Sequence, residues 1–335
     1  MGTATLDGVT VADLTRYLPG PFASRELRRL GARVVKVEPP GGDPVEATAP
    51  GWYAALNEGK ERITWDARAE PPPAAVTEAD VVLEGFRPGV FERLGIDLRP
   101  EAILCSITGY GASGRHAHEA GHDLNYLGYA GVLADTAPAL PPVQVADLCA
   151  GAQAAVIEVL AALLDRSRTG RGGRVVVSMT LGAHRFAAHR LRGEPLPRLL
   201  TGGAACYRIY ETAAGRYLTV AALEPKFWAC LCELLDRPEL VDRAFEPRLT
   251  ELEELFRTRT LADWLELLEG RDTCVGPVLT LEEAAAELAE LDRDEAQPAA
   301  GAEHEAEGGE DEHGQDEPGD EKRAAHDGRS FGDGA

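Results

Sequence analysis

Apolar runs alternate with helical patterns along the first half of the chain. Residues 9–14 predict a buried strand, and residues 22–30 have helical spacing that ends at Gly31. Residues 32–38 predict the next strand, which ends at Pro39. Strand, helix and strand together form a βαβ unit, and such a unit predicts a parallel sheet.

The same pattern recurs further along the chain. Residues 79–84, 103–108 and 174–179 are three more strand candidates, and a helix is expected from Asp147 to about Arg168. We therefore predict an α/β fold in which an open, Rossmann-like parallel sheet occupies the first 199 residues, 1–199.

A different pattern follows this predicted sheet. Residues 207–212 and 217–220 predict an antiparallel hairpin, and residues 227–235 and 261–268 predict amphipathic helices. We expect these elements to form a smaller α+β domain over residues 200–286.

The charge of the chain is strongly negative. The 335 residues carry a formal net charge of −22, which argues against nucleic acid or an anionic membrane as a partner. Residues 287–335 hold much of this excess and have few large apolar side chains. We expect them to form an acidic, disordered tail.

Cysteine spacing and hydropathy indicate in which cellular compartment the protein is expected. The six cysteines form no Cys-x-x-Cys pair and no zinc-ligand pattern, as expected of free thiols in a reducing cytoplasm. No basic-then-apolar leader precedes Leu6. The most apolar run, residues 148–164, is interrupted by Gln153 and Glu158 and predicts a core helix. We therefore predict a cytoplasmic protein with no membrane partner.

Two motifs suggest cofactors but lack the context that a cofactor site needs. Residues 109–114 match Gly-x-Gly-x-x-Gly, yet no helical pattern follows directly, so a flexible turn is favoured over an NAD site. His116, His118 and His122 have no matching Cys or Glu pattern elsewhere, which favours a solvated loop over a metal site. We expect neither NAD nor a metal.

Asp147 stands where a long apolar helix is predicted to begin. Aspartate is a preferred N-cap, and capping is the simpler interpretation of this residue taken alone. Catalysis is compatible with capping, because the free N–H groups of a helix start can stabilise a developing oxyanion. His122 alone is typical of a loop histidine.

Several short motifs occur together in an order that is specific to one family. By these residues the chain resembles the family III CoA-transferases over about residues 6–285: Leu6-Asp7-Gly8-Val9, Pro19-Gly20-Pro21, Leu30-Gly31-Ala32, Val35-Lys36-Val37-Glu38-Pro39-Pro40-Gly41, Glu84-Gly85-Phe86-Arg87-Pro88-Gly89-Val90, Arg93-Leu94-Gly95, Thr108-Gly109-Tyr110-Gly111 and Val175-Val176-Val177-Ser178-Met179.

Within that family the chain is most similar to the α-methylacyl-CoA racemases. This similarity rests on residues 121–126, Ala146-Asp147, residues 202–204 and residues 223–227. The resemblance implies that 2-methyl-branched acyl-CoA thioesters are epimerised. It implies that His122 and Asp147 exchange the α-proton, and that Glu224 pairs with His122. The backbone N–H at the start of the Asp147 helix is expected to face the enolate.

The family also contains transferases, which share the aspartate at the position of Asp147. There it acts as a nucleophile, whereas the histidine at the position of His122 is usually missing. A CoA transferase that forms a covalent Asp147 intermediate is therefore an alternative. A non-catalytic acyl-CoA binder is another, because an acidic tail stands where relatives have a segment that packs on the first domain.

Coenzyme A is expected as part of the substrate and not as a permanently bound cofactor. The resemblance implies an interlocked homodimer and assigns CoA contacts to two groups of residues. The first is Trp65, Asp66, Ala67, Arg68 and Arg93, and the second is Gly121, Asp123, Leu124, Asn125 and Tyr126.

Overall fold

A six-stranded parallel sheet forms the centre of the first part of the chain. The computed structural model describes residues 5–193, 196 and 198–289. The strand order is β3-β2-β1-β4-β5-β6, and each neighbouring pair is parallel, as predicted. The strands are β1 (Thr10–Asp13), β2 (Arg33–Glu38), β3 (Glu61–Thr64), β4 (Val81–Glu84), β5 (Ile103–Thr108) and β6 (Gly173–Ser178).

Helices cover both faces of this sheet. They are α1 (Pro19–Arg29), α2 (Pro44–Thr48), α3 (Pro50–Asn57), α4 (Ala74–Thr77), α5 (Val90–Arg93), α6 (Asp123–Ala130), α7 (Ala154–Thr169) and α8 (Met179–Ala187). A π-helical segment, Ala146–Gln153, leads directly into α7. One face packs its apolar side chains against α1, α6, α7 and α8. The opposite face packs against α4 and α5. This is the α/β architecture expected from the sequence.

The long helix that runs from the π-helical segment through α7 is only partly a core helix. Ala155 and Val159 on its inner side are fully buried. Ile157 and Leu164 on its outer side are 65% and 62% exposed, although the helix is long and apolar enough to cross a membrane by length and composition alone. The prediction of a core helix therefore holds for one side only, and the outer side offers apolar surface to another molecule.

A second, antiparallel sheet follows, in the order β7-β8-β9. Its strands are β7 (Tyr207–Glu211), β8 (Tyr217–Ala221) and β9 (Val275–Pro277), and its helices are α9 (Pro225–Leu234), α10 (Thr250–Phe256), α11 (Leu261–Leu268) and α12 (Leu281–Glu287). Trp228, Phe256 and Trp264 anchor a separate apolar core. The predicted hairpin corresponds to β7 and β8. Most of the predicted tail, residues 290–335, lies outside the described residues.

Candidate active site

A cleft of about 690 Å³ opens at the carboxyl edge of the parallel sheet. Its walls come from the segments that follow β1, β4 and β5, together with α6 and the start of the π-helical segment. The strand order reverses between β1 and β4, and ligands of open α/β sheets bind at such a switch point. The topology therefore places the cleft where a ligand is expected.

Asp147 and His122 both line this cleft, as do Gly121, Asn125 and Tyr126. The first two are the residues to which the family resemblance assigns proton transfer. They are 25 positions apart in the chain and come together because α6 packs against the π-helical segment.

Asp147 does not cap its own helix. The segment begins one residue earlier, at Ala146, and Asp123 accepts the Asp147 N–H at 2.9 Å. The capping interpretation of Asp147 is therefore wrong, because Asp123 takes that role from 24 positions away. The same contact occupies the Asp147 N–H that was expected to face an enolate. No hydrogen bond to the Asp147 carboxylate is found among the described residues, and Asp147 lines the cleft.

The environment of Asp147 disfavours its negative charge. Burial, followed by the nearby Asp123 carboxylate, raises the pKa of Asp147 to about 7. A carboxyl group with such a pKa is present in both protonation states near neutral pH. It can therefore return a proton as readily as it takes one.

His122 lies at the start of α6 with an exposed side chain. The backbone N–H of His122 donates to Asn125 Oδ1 at 3.1 Å. The preceding carbonyl, that of Gly121, accepts a hydrogen bond from the Tyr126 hydroxyl. A Cβ atom at position 121 would lie 2.7 Å from the Tyr126 ring, so only glycine fits there. Tyr126 thus fixes the backbone that carries His122.

Tyr126 is also part of the local electrostatics. Burial, followed by repulsion from Asp147, raises the pKa of Tyr126 to about 12. Its ring meets that of Tyr110 edge-on, with the centroids 5.1 Å apart. The phenol therefore remains a neutral hydrogen-bond donor at any pH at which the protein works.

Glu224 is not part of this cleft within one chain. It is exposed at the start of α9, beside the second sheet. The pKa of the Cys274 thiol is raised first by burial and second by the negative charge of Glu224. No ion pair joins Glu224 to His122 within the described residues. The predicted pairing is thus not made inside a single subunit.

The remaining residues expected to bind CoA divide between two places. Asp123 and Leu124 follow His122 on α6, beside the cleft. Trp65, Asp66, Ala67, Arg68 and Arg93 are not among the residues that line it. Trp65 packs into the apolar layer on the α4–α5 face of the sheet and donates to the Glu70 carbonyl at 3.2 Å.

Two further arginines, which the sequence motifs did not point to, also line the cleft. Arg16 and Arg87 follow β1 and β4 directly, and both are exposed. No carboxylate among the described residues lies within ion-pair distance of either one. Their position just after parallel strands was a usable signal, because the carboxyl ends of such strands converge on one edge.

The two motifs that could suggest cofactors lie in the segment between β5 and α6. Residues 109–114 form a turn after β5, and the next helix in the described chain starts only at Asp123. His116 bonds to Glu119 at 2.8 Å and lies 4.7 Å from the Tyr129 ring centre.

Comparison with known proteins identifies the family. A profile described as CoA-transferase family III matches residues 6–300. The chain belongs to CoA-transferase family III. The human α-methylacyl-CoA racemase is 33% identical to it over 310 residues, which cover 83% of this chain and 78% of the human protein.

A second relative is named as a transferase. The probable fatty acyl-CoA transferase Rv3272 of Mycobacterium tuberculosis is also 33% identical, over 79% of this chain and 80% of that protein. Its crystal structure superposes with a TM-score of 0.72 and covers 85% of this chain and 86% of the solved chain. The family relationship therefore includes racemases and transferases at the same level of identity.

Proposed function

We propose that the protein epimerises 2-methyl-branched acyl-CoA thioesters. The observation that carries the proposal is the presence of His122 and Asp147 in one cleft, where Asp147 has a pKa of about 7. Inversion at a carbon next to a thioester needs one group to remove the α-proton and another to return a proton from the opposite face.

The steps follow from these side chains. In one direction the Asp147 carboxylate takes the α-proton, the C–H electron pair passes into the thioester carbonyl, and the enolate forms. The His122 imidazolium then gives a proton to the other face of the same carbon. In the reverse direction the two groups exchange roles, so the enzyme must hold both protonation patterns at working pH.

The enolate oxygen requires a donor of its own. The Asp147 N–H is bonded to Asp123 in the free protein, so it serves only if Asp123 releases it when substrate binds. We propose that the thioester oxygen displaces the Asp123 carboxylate from this N–H. The developing negative charge would then be stabilised at the start of a helix.

The second chain of a homodimer completes the proposal. Glu224 is expected to pair with His122, and an interlocked cytoplasmic dimer would bring a partner's α9 to the cleft. The exposed apolar side of α7 supports a subunit contact. Transfer of CoA through a covalent Asp147 adduct is the alternative, and the transferase names of other relatives support it.

One experiment separates these reactions. The protein is incubated in heavy water with a single epimer of a 2-methylacyl-CoA, with and without an acceptor acid. Epimerisation with deuterium at the α-carbon supports the racemase, whereas acceptor-dependent thioester exchange without deuterium supports the transferase. His122→Ala is expected to abolish inversion, and His118→Ala, an exposed histidine outside the cleft wall, is the matched control. Inversion that survives in His122→Ala contradicts the role of His122.

A further inference from the structure

The loop that joins β1 to α1 is held by buried charged groups. The Lys36 ammonium, with 0% side-chain exposure, donates to the Thr15 carbonyl at 2.6 Å. Asp13 accepts both the N–H and the hydroxyl of Thr15. Asp43 accepts the Tyr17 N–H at 3.0 Å. The backbone on both sides of Arg16 is therefore fixed from beneath.

This anchoring holds Tyr17 in a backbone conformation that most residues avoid. Its φ is +67°, in the left-handed region, where a side chain with a Cβ is disfavoured. Lys36 also lies 3.8 Å from Asp13 and 3.7 Å from Asp43, so the anchoring groups neutralise one another. Such strain persists where the surroundings enforce it, commonly at ligand sites. Its effect here is to place Arg16 on the wall of the cleft.

Arg16 has no anionic partner of its own among the described residues. Its guanidinium carbon lies 5.8 Å from the centre of the adjacent Tyr17 ring. Asp147 and Glu119 also line the cleft, and Glu119 is bonded to His116. In a chain of net charge −22, a guanidinium left free in a cleft is suited to bind an anion.

The fold indicates which part of a substrate that anion belongs to. Arg16 leads into α1, which packs against the π-helical segment that carries Asp147. Arg87 leads towards α5, on the opposite face of the sheet, where Trp65 and Arg93 also lie. The reacting carbon must reach Asp147, whereas the phosphates of CoA lie at the far end of the pantetheine arm. Arg16 is therefore on the acyl side.

We propose that Arg16 determines acyl specificity by binding a carboxylate at the far end of the acyl chain. The substrate class is then a thioester with a 2-methyl branch and a terminal carboxylate. This inference rests on the proposed function, since it assumes that the α-carbon lies at Asp147. A planar guanidinium can grip such a carboxylate through two parallel hydrogen bonds.

The test compares two 2-methylacyl-CoA thioesters of equal chain length, one ending in a methyl group and one in a carboxylate. Deuterium incorporation gives kcat/KM for each. The wild-type protein is expected to favour the carboxylate substrate by roughly 10- to 100-fold, mainly through KM. Arg16→Gln is expected to bring the ratio close to one, and Arg16→Lys to retain part of it. Arg87→Gln is the matched control and is expected to keep the ratio.

Other results overturn the inference. A wild-type protein with no preference has no carboxylate recognition. An Arg16→Gln variant that weakens both substrates equally places Arg16 on the CoA portion. Binding of the unreactive thioether analogues of both substrates is measured in parallel. If neither thioester exchanges deuterium but the carboxylate analogue still binds tighter, and Arg16→Gln removes that difference, the proposed reaction fails while the specificity role stands.

Discussion

Asp147→Asn removes a charge that the fold holds at a thermodynamic disadvantage. Burial and Asp123 raise the pKa of Asp147 from 3.8 to about 7. At a pH above both values, a shift of this size corresponds to roughly 4 kcal/mol of lost stability. The side chain is only partly buried, and solvent screening reduces this to about 2 kcal/mol. Asparagine has nearly the same shape, so the variant is expected to be more stable than the wild type at pH 8.

The sign of the pH dependence follows from proton binding. Between pH 3.8 and about 7 the folded wild type binds more protons at this site than the unfolded chain does. Its stability therefore falls as the pH rises through this window, and the asparagine variant lacks that fall. The gain of the variant is expected to be largest at pH 8 and roughly half as large at pH 5.5.

Urea unfolding at pH 5.5 and pH 8 measures this difference. Asp165→Asn, an exposed aspartate near the other end of the same helix, is the control and should stay within about 0.5 kcal/mol of the wild type at both pH values. The α-proton exchange activity of Asp147→Asn should be lost. Equal unfolding free energies of variant and wild type at pH 8, or a less stable variant, would refute the argument that Asp147 is held in a strained charge state.

Three further perturbations test other parts of the structure. Ile157→Asp, on the exposed side of α7, is expected to convert the proposed dimer into a monomer, and light scattering measures the mass. Ile209→Asp, at a residue that is 60% exposed on the small sheet, is the control and should leave the mass unchanged. A dimeric Ile157→Asp protein contradicts the proposed contact. Tyr126→Phe removes the hydrogen bond to the Gly121 carbonyl, so the backbone that carries His122 is held less firmly. This variant should lower kcat about tenfold with little change in KM. An unchanged kcat would argue against a positioning role for Tyr126. Lys36→Met leaves buried carboxylates short of a cation and should lower the free energy of unfolding by about 3–5 kcal/mol in urea titrations; a loss below about 1 kcal/mol would mean that the buried ion pairs contribute little.

The parts of the fold that the sequence predicts are those with strong apolar patterns. The strand at residues 103–108 is predicted at its observed bounds because all six of its residues are buried. β3 was missed because it is an edge strand of mostly exposed residues, Glu61-Arg62-Ile63-Thr64. Its pairing is visible only in three dimensions, where Arg33 of the neighbouring strand forms an ion pair with Glu61 at 2.6 Å. β9 has three residues, one of them proline, and gives no strand signal.

The candidate site shows a similar division. The sequence identified Asp147 and His122, because the motifs around them are characteristic. It assigned the cap of the helix after residue 145 to Asp147 and could not identify Asp123, which reaches that helix from 24 positions away. Arg16 was not assigned to the site, because its position depends on Lys36 of β2 and on Asp43, which hold the residues on either side of it. Local propensity carries no information about such contacts.

The contact between Asp123 and Asp147 connects stability with chemistry. A carboxylate beside a helix start is normally stabilised by the free N–H groups there, which would keep the pKa of Asp147 low. Here Asp123 takes the Asp147 N–H and adds a like charge, so Asp147 experiences burial and repulsion without compensation. A nucleophile that must stay ionised gains little from such an arrangement, because protonation removes its lone pair from attack. A group that alternately takes and returns a proton gains from it directly, since its two states lie close in free energy near neutral pH. The raised pKa of Asp147 comes first from burial and then from Asp123, and it is the setting that the proposed proton transfer requires.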